Sequence, residues 1–316
     1  MFKLFSSIFG QTSRQQTSYP ETLIKAAIER AVDGTDPRMR ILPGYTKQLR
    51  DPVIHAIDHV MALVDKLPLP VMATKEGRDS CSALAAVFTS ATRMAEIVES
   101  DSTLREYWNA NTAVTEPVTA LLVTQRSEKT GFGYALVEDK VVNDVQQTTV
   151  SFDAHRFLDP QTSEEETRRF LKRRAFDYLL SIALAHVSEQ KDEREKLTQQ
   201  RALLRCKLDI LQKGGSGFSR DMGPQDRNAM QTRLEEIDAQ LAALGPVHEV
   251  LQSNLAIVAE VLGEAEKHLY MEEKCLRIDK NYLLHNDTDT STPAITFCDL
   301  CDSNGRRVTL MLLTIS

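Results

Sequence analysis

Aromatic side chains make up only 6% of these 316 residues, tryptophan occurs once, and 13 glycines and 11 prolines are few for the length. So little glycine and proline excludes collagen-like and low-complexity architectures, and a 42% apolar share beside 26% charged residues is the composition of a chain that folds. Cysteine is thin as well. Cys81, Cys206, Cys275, Cys298 and Cys301 are odd in number and widely spread, which excludes the dense, even framework of a small stapled secreted domain and fits reduced thiols in a cytoplasm. No apolar run approaches the roughly 20 residues of a membrane span, and the opening MFKLFSSIFG lacks the apolar core and small-residue cleavage site of a secretory signal. Positive charge is in deficit. With 38 Lys and Arg against 45 Asp and Glu the net charge is -7, so the molecule repels phosphate backbones and nucleic acid is not expected as a partner.

The familiar catalytic signatures are missing too. There is no glycine-rich dinucleotide or phosphate loop, no Gly-x-Ser-x-Gly elbow and no His-Glu-x-x-His. No enzyme class, cofactor or metal is therefore expected. Cys298-Asp-Leu-Cys301 has the spacing of a redox or metal half-site, but on a strand the two thiols point to opposite faces, so two packed thiols are the better reading. His55 and His59, with Asp51 one turn earlier, could share a helix face suited to a divalent cation. They lie off the apolar stripe, and a solvated flank explains them. Arg168, Arg169, Lys172, Arg173 and Arg174 form the densest basic cluster, and long cationic stems lying around a helix explain it without a lipid or acidic partner.

What is present points to an α+β chain, mostly α: a helical bundle base with small antiparallel β elements and a long antiparallel coiled-coil helical hairpin. Residues 1–19 form a short segment in which Phe2, Phe5 and Phe9 line one side; a single lysine and few turns argue against a membrane anchor there. Residues 20–113 read as helices, including one opened by Asp51-Pro52 and one over about 80–99. Residues 114–160 read as a β meander with turns near Lys129-Thr130-Gly131 and Asn143-Asp144, and residues 273–316 as a β-hairpin region with Asn304-Gly305 at its turn.

Residues 161–272 carry the hairpin. Ser163 and Glu166 form a capping box. Leu197, Arg201, Leu204 and Leu208 on the outgoing helix, and Met230, Leu234, Ile237, Leu241, Leu244 and His248 on the returning one, alternate in steps of three and four. The glycine-rich tip, 213–223, suits a tight reversal, and Gly245-Pro246 predicts a bend. Antiparallel pairing about that tip sets His248 opposite Glu193, a register contact that could also respond to pH, and Leu204 near Ile237. The turn itself does not need Phe218 and Met222, which makes them candidate partner anchors. The expected function is that of a cytoplasmic scaffold or adaptor binding protein partners through this arm. A membrane-peripheral protein, or a base domain that binds or converts a small molecule, is the alternative.

Overall fold

A computed structural model describes residues 19–111, 116–137, 140–212, 224–243, 247–285 and 292–316. Two compact units divide the chain, one made of Ile57–Phe176 and Ala265–Ser316, the other of Ser18–Ala56 and Asp177–Glu264.

Helices α1 (Glu21–Gly34) and α2 (Tyr45–Asp65) flank a 3-10 turn, Pro37–Ile41. Helix α2 does not begin at Asp51-Pro52: Pro52 lies inside it, because Leu49, Val53 and Ala56 carry one buried stripe past the proline. The helix instead starts after Gly44, which takes the left-handed φ of 77°. A single helix over 80–99 is also corrected. The chain there forms strand β1 (Val71–Met72) and short helices α3 (Lys75–Ser80), α4 (Ser82–Val87) and α5 (Ala91–Ser100), followed by α6 (Ser102–Ala110). Side-chain caps restart the chain at α3, α5 and α6: Thr74 accepts from the Gly77 amide at 3.1 Å, Ser90 from Arg93 at 3.0 Å and Asp101 from Leu104 at 3.0 Å. A side chain at Gly77 would meet the Met72 carbonyl at 2.0 Å, so only glycine fits beneath β1.

The expectation of a helical base with small β elements is overturned by the sheet. Strands β2 (Val118–Val137, 20 residues) and β3 (Lys140–Gln161, 22 residues) pair along almost their whole lengths. After the long helix α7 (Glu164–Gln212) and helices α8 (Pro224–Ala243), α9 (Val247–Gly263) and α10 (Ala265–His268) come β4 (Leu269–Ile278), β5 (Leu283–His285), β6 (Ala294–Asp302) and β7 (Arg307–Ile315). The seven strands make one mixed sheet in the order β1-β7-β2-β3-β5-β4-β6, and β6 also pairs with β7. Six antiparallel strands thus close a ring of hydrogen-bonded neighbours, while β1 runs parallel to the far end of β7, with Val71 opposite Leu313. Closure is the usual way to leave no sheet edge open. Lys129-Thr130-Gly131 is strand rather than turn, because its polar residues find cross-strand partners in Thr149, Thr148 and Gln147.

One face of the sheet carries Ala120, Leu122, Val150, Phe152, Phe157, Phe297, Met311 and Leu313, packed with Leu84, Phe88 and Leu104 from the short helices. Leu121, Leu310 and Leu312, on alternate positions, build a second cluster with Val64, Leu67 and Leu171. In the other unit the buried side chains come from α1, α2, α7 and α9, among them Ile24, Ile28, Leu49, Leu179, Leu255 and Val258. Asn254 on α9 donates to Asp36 at 3.0 Å and Arg30 on α1 forms an ion pair with Asp177 on α7. The Arg38 guanidinium holds the Asp36 carboxyl below its usual range.

Candidate interaction surfaces

Helix α7 is long enough to serve two environments. Its first turns follow the Ser163 cap, whose hydroxyl accepts from the Glu166 amide at 3.2 Å, and Glu164 to Glu166 sit where the helix dipole favours them. Leu171, Phe176, Leu179, Leu180, Ala183 and Val187 are buried. None of the described side chains from Ser188 to Lys207 is buried, and Leu203 is 61% exposed. Leu208 on α7 and Ile237 on α8 are buried, with Met230, Leu234 and Leu241 half-buried, and Asp238 lies 3.4 Å from Arg201 and 3.2 Å from Arg205. Those ion pairs bring residues 201–205 of the outgoing helix alongside residue 238 of the returning one, next to the expected neighbours Leu204 and Ile237. Phe218 and Met222, the bend at Gly245-Pro246 and the residues Phe2, Phe5 and Phe9 lie outside the described residues. So do the side chains of Glu193 and His248, whose positions fall in α7 and α9.

The second surface was not read from the sequence. Strand β2 pairs with β7 only over Val118–Thr124, and β3 pairs with β5 only at Thr148 and Thr149. Beyond these, among the described residues, Gly131–Val137 and Lys140–Gln147 pair with each other alone, as a two-stranded ribbon. Phe132 and Tyr134, two residues apart and therefore on one side of the ribbon, are 79% and 74% exposed. Gly131 and Gly133 alternate with them on the opposite side, where the Gln147 side chain crosses Gly133 and donates to the Tyr134 carbonyl at 2.9 Å.

The basic cluster serves packing. Arg168 donates to the Val64, Leu67 and Pro68 carbonyls at 2.7, 2.9 and 3.0 Å, closing the C-terminal end of α2 where a positive charge is favoured. Lys172 pairs with Asp65 at 2.8 Å, and Arg174 grips Asp159 through two bonds of 2.6 and 2.7 Å. His59 meets the Leu269 carbonyl at 2.7 Å, and no group of three or more potential metal ligands occurs among the described residues. Cys298 and Cys301 are both buried and free; unbroken registers on both sides of β6 set them on opposite faces. Burial, then the nearby Glu273 and Asp299 carboxylates, pushes the Cys298 thiol up, away from the reactive thiolate. No helix among the described residues is long and apolar enough to cross a membrane.

Sequence reasoning also missed three bulges in β3. The ladder slips by one residue between Thr119 and Leu121, between Val123 and Gln125 and between Gly133 and Ala135 of β2. At the slips Asp159, Ala154 and Asp144 take positive φ values of 49°, 53° and 59°. The middle one turns His155 toward the helices α4 to α6, where its ring stacks on Phe88. Compared with protein-family models, with curated proteins and with solved structures, the chain matches none.

Proposed function

We propose that this chain is a cytoplasmic interaction protein, a scaffold or adaptor, and that the β2–β3 ribbon and the α7–α8 arm are its docking elements. The observation that carries the reading is the exposed pair Phe132 and Tyr134 on a ribbon whose outer edges have no strand beside them among the described residues. A two-stranded ribbon is marginal in water by itself, and large aromatics at interfaces supply much of the binding energy. Unpaired amide and carbonyl groups along the ribbon edges offer an extended segment of a protein partner the hydrogen bonds of a new strand. The charged, narrow stretch of α7 beyond Ser188 supports the same reading, since it adds reach and surface without an enclosed site.

The test replaces Phe132 and Tyr134 together by serine and compares partner capture from the native cell with that of the intact chain. Side chains this exposed contribute little to the fold, so the melting temperature stays nearly constant. Capture of at least one partner should fall by about tenfold or more. An unchanged set of partners refutes the ribbon as a docking element, and an arm shortened by whole heptads of α7 and α8 then decides whether the helices carry the function.

A further inference from the structure

The bulge at Ala154 builds a pocket wall. Val123 faces Arg156 and Gln125 faces Asp153, so Ala154 and His155 together oppose the single residue Thr124. Thr124, itself 2% exposed, donates its hydroxyl hydrogen to the Asp153 carbonyl at 2.8 Å and fixes the kink. Ala154 adopts the left-handed conformation without the local hydrogen bonding that lets aspartate tolerate it. Strain of this kind persists where surrounding structure holds it and is concentrated at ligand sites.

Around the kink lies a cleft of 510 Å³, within the range of small-molecule sites, between β3 and the helices α4 to α6. Phe88, Ile97 and Phe152 give it an apolar wall, and Arg93, Asp153 and His155 give it polar groups. The His155 ring stacks on Phe88 with centroids 4.9 Å apart, and its Nε2 lies 3.2 Å from the Val87 carbonyl. A carbonyl only accepts, so Nε2 carries the hydrogen and the neutral ring presents Nδ1 as an acceptor. No described residue hydrogen-bonds Nδ1. Burial holds the imidazole below its ordinary value and so keeps it neutral, with Asp153 pulling the other way and Arg93 reinforcing burial. Among the described residues Arg93 has a surface pair with Glu96 alone, both side chains more than half exposed, so its guanidinium is easily recruited. Among the described residues the Asp153 carboxylate accepts one bond, from Ser151 at 3.1 Å.

The other carboxylate in the wall, Asp101, is taken up by the Leu104 and Phe157 amides at 3.0 and 3.2 Å; the opening therefore offers a cation, an available anion and a neutral acceptor, and a ligand that pairs both charges must carry both signs. We propose that the cleft binds a small amino acid or a close amino acid derivative, its carboxylate on Arg93 and its ammonium group on Asp153 and His155 Nδ1. The side chain of the ligand then lies along Ile97 and Phe152. A planar guanidinium suits a carboxylate through two parallel bonds, and the neutral imidazole adds an acceptor without adding a charge.

The full chain is exposed to each of the twenty standard L-amino acids at about 1 mM by ligand-observed NMR, a concentration matched to an affinity near the weak end of specific sites. At least one should bind. For that compound, the analogue lacking the amine and the analogue lacking the carboxylate should each bind about tenfold more weakly or worse. The variants Arg93→Gln and Asp153→Asn should also lose about tenfold. Failure of all twenty to bind overturns the proposal, as does equal binding of either analogue or undiminished binding in both variants. Should either variant melt early, the analogue comparison on the native chain still decides.

Discussion

Breaking the ion pair between Arg126 and Asp299 should destabilise the β unit more than almost any other single polar change. Asp299 is 0% exposed and the Arg126 side chain 5% exposed, with Nη2 2.9 Å from Oδ2 and Nη1 3.3 Å from Oδ1. Thr309, opposite Asp299 on β7, donates to Oδ1 at 2.7 Å, while Oδ2 has no well-aligned hydrogen bond. Asp299→Asn leaves a buried guanidinium that cannot lose its proton, with the part-exposed Glu128 carboxylate 3.5 Å from its Nε as its remaining counter-charge, a loss of about 3 kcal/mol. Arg126→Met leaves a buried carboxylate instead, with a loss of the same order near neutral pH. In the double variant Arg126→Met, Asp299→Leu only the Thr309 hydroxyl is orphaned, at about 1–3 kcal/mol. The only tryptophan, Trp108, packs against the core of this unit, so its fluorescence in urea follows the unit without interference from the rest of the chain. Single variants that lose less than about 1 kcal/mol would show that water reaches the pair and would refute the reasoning.

Two further outcomes follow from β3. In Ala154→Gly the left-handed conformation no longer costs the roughly 1–2 kcal/mol it costs an alanine, while the freer unfolded chain takes back about 0.5–1 kcal/mol; the Trp108 urea midpoint should therefore rise, and a fall would mean the alanine methyl is packed. Burial depresses the His155 pKa, so the unfolded chain binds its proton first as pH falls. The stability this ring contributes is complete above the ordinary value of about 6.5 and is lost between there and the lower folded value. His155→Gln should thus lose less stability than the native chain between about pH 7.5 and pH 5, and equal losses would remove the ring from the acid response.

The helices were legible where a single device fixes them. Ser163 with Glu166 located the start of α7, and the three- and four-residue steps through Leu208 and Ile237 picked out positions that are less exposed than their neighbours. Asn304-Gly305 located the β6–β7 turn, with Gly305 at φ 76°. The sheet was undervalued because its longest strands are polar where they leave the core: Ser127, Glu128, Lys129 and Thr130 have no buried side to betray a period of two, and their pairing is secured by the backbone ladder with cross-strand hydroxyl bonds such as Thr130 to Thr148 at 3.1 Å. Pro52 misled for the opposite reason. It is a strong local signal, overruled by the apolar stripe on either side of it.

The bulges explain why the His155 cleft could not be read at all. Val150 and Phe152 share a face by alternation, yet Phe157 belongs to the same core although it stands an odd number of residues from Phe152. An extra residue at Ala154 supplies the missing step, and no residue type announces it, since alanine is neither a turn former nor a favoured left-handed residue. The slip at Asp159 has a visible partner, because the displaced carboxylate meets Arg174. The slip at Ala154 has its partners one residue on, where it turns His155 onto the Phe88 ring and the Val87 carbonyl. A kink held by a buried threonine thus packs the His155 ring on Phe88 and sets the same ring in the wall of the cleft, the place the proposed ligand requires.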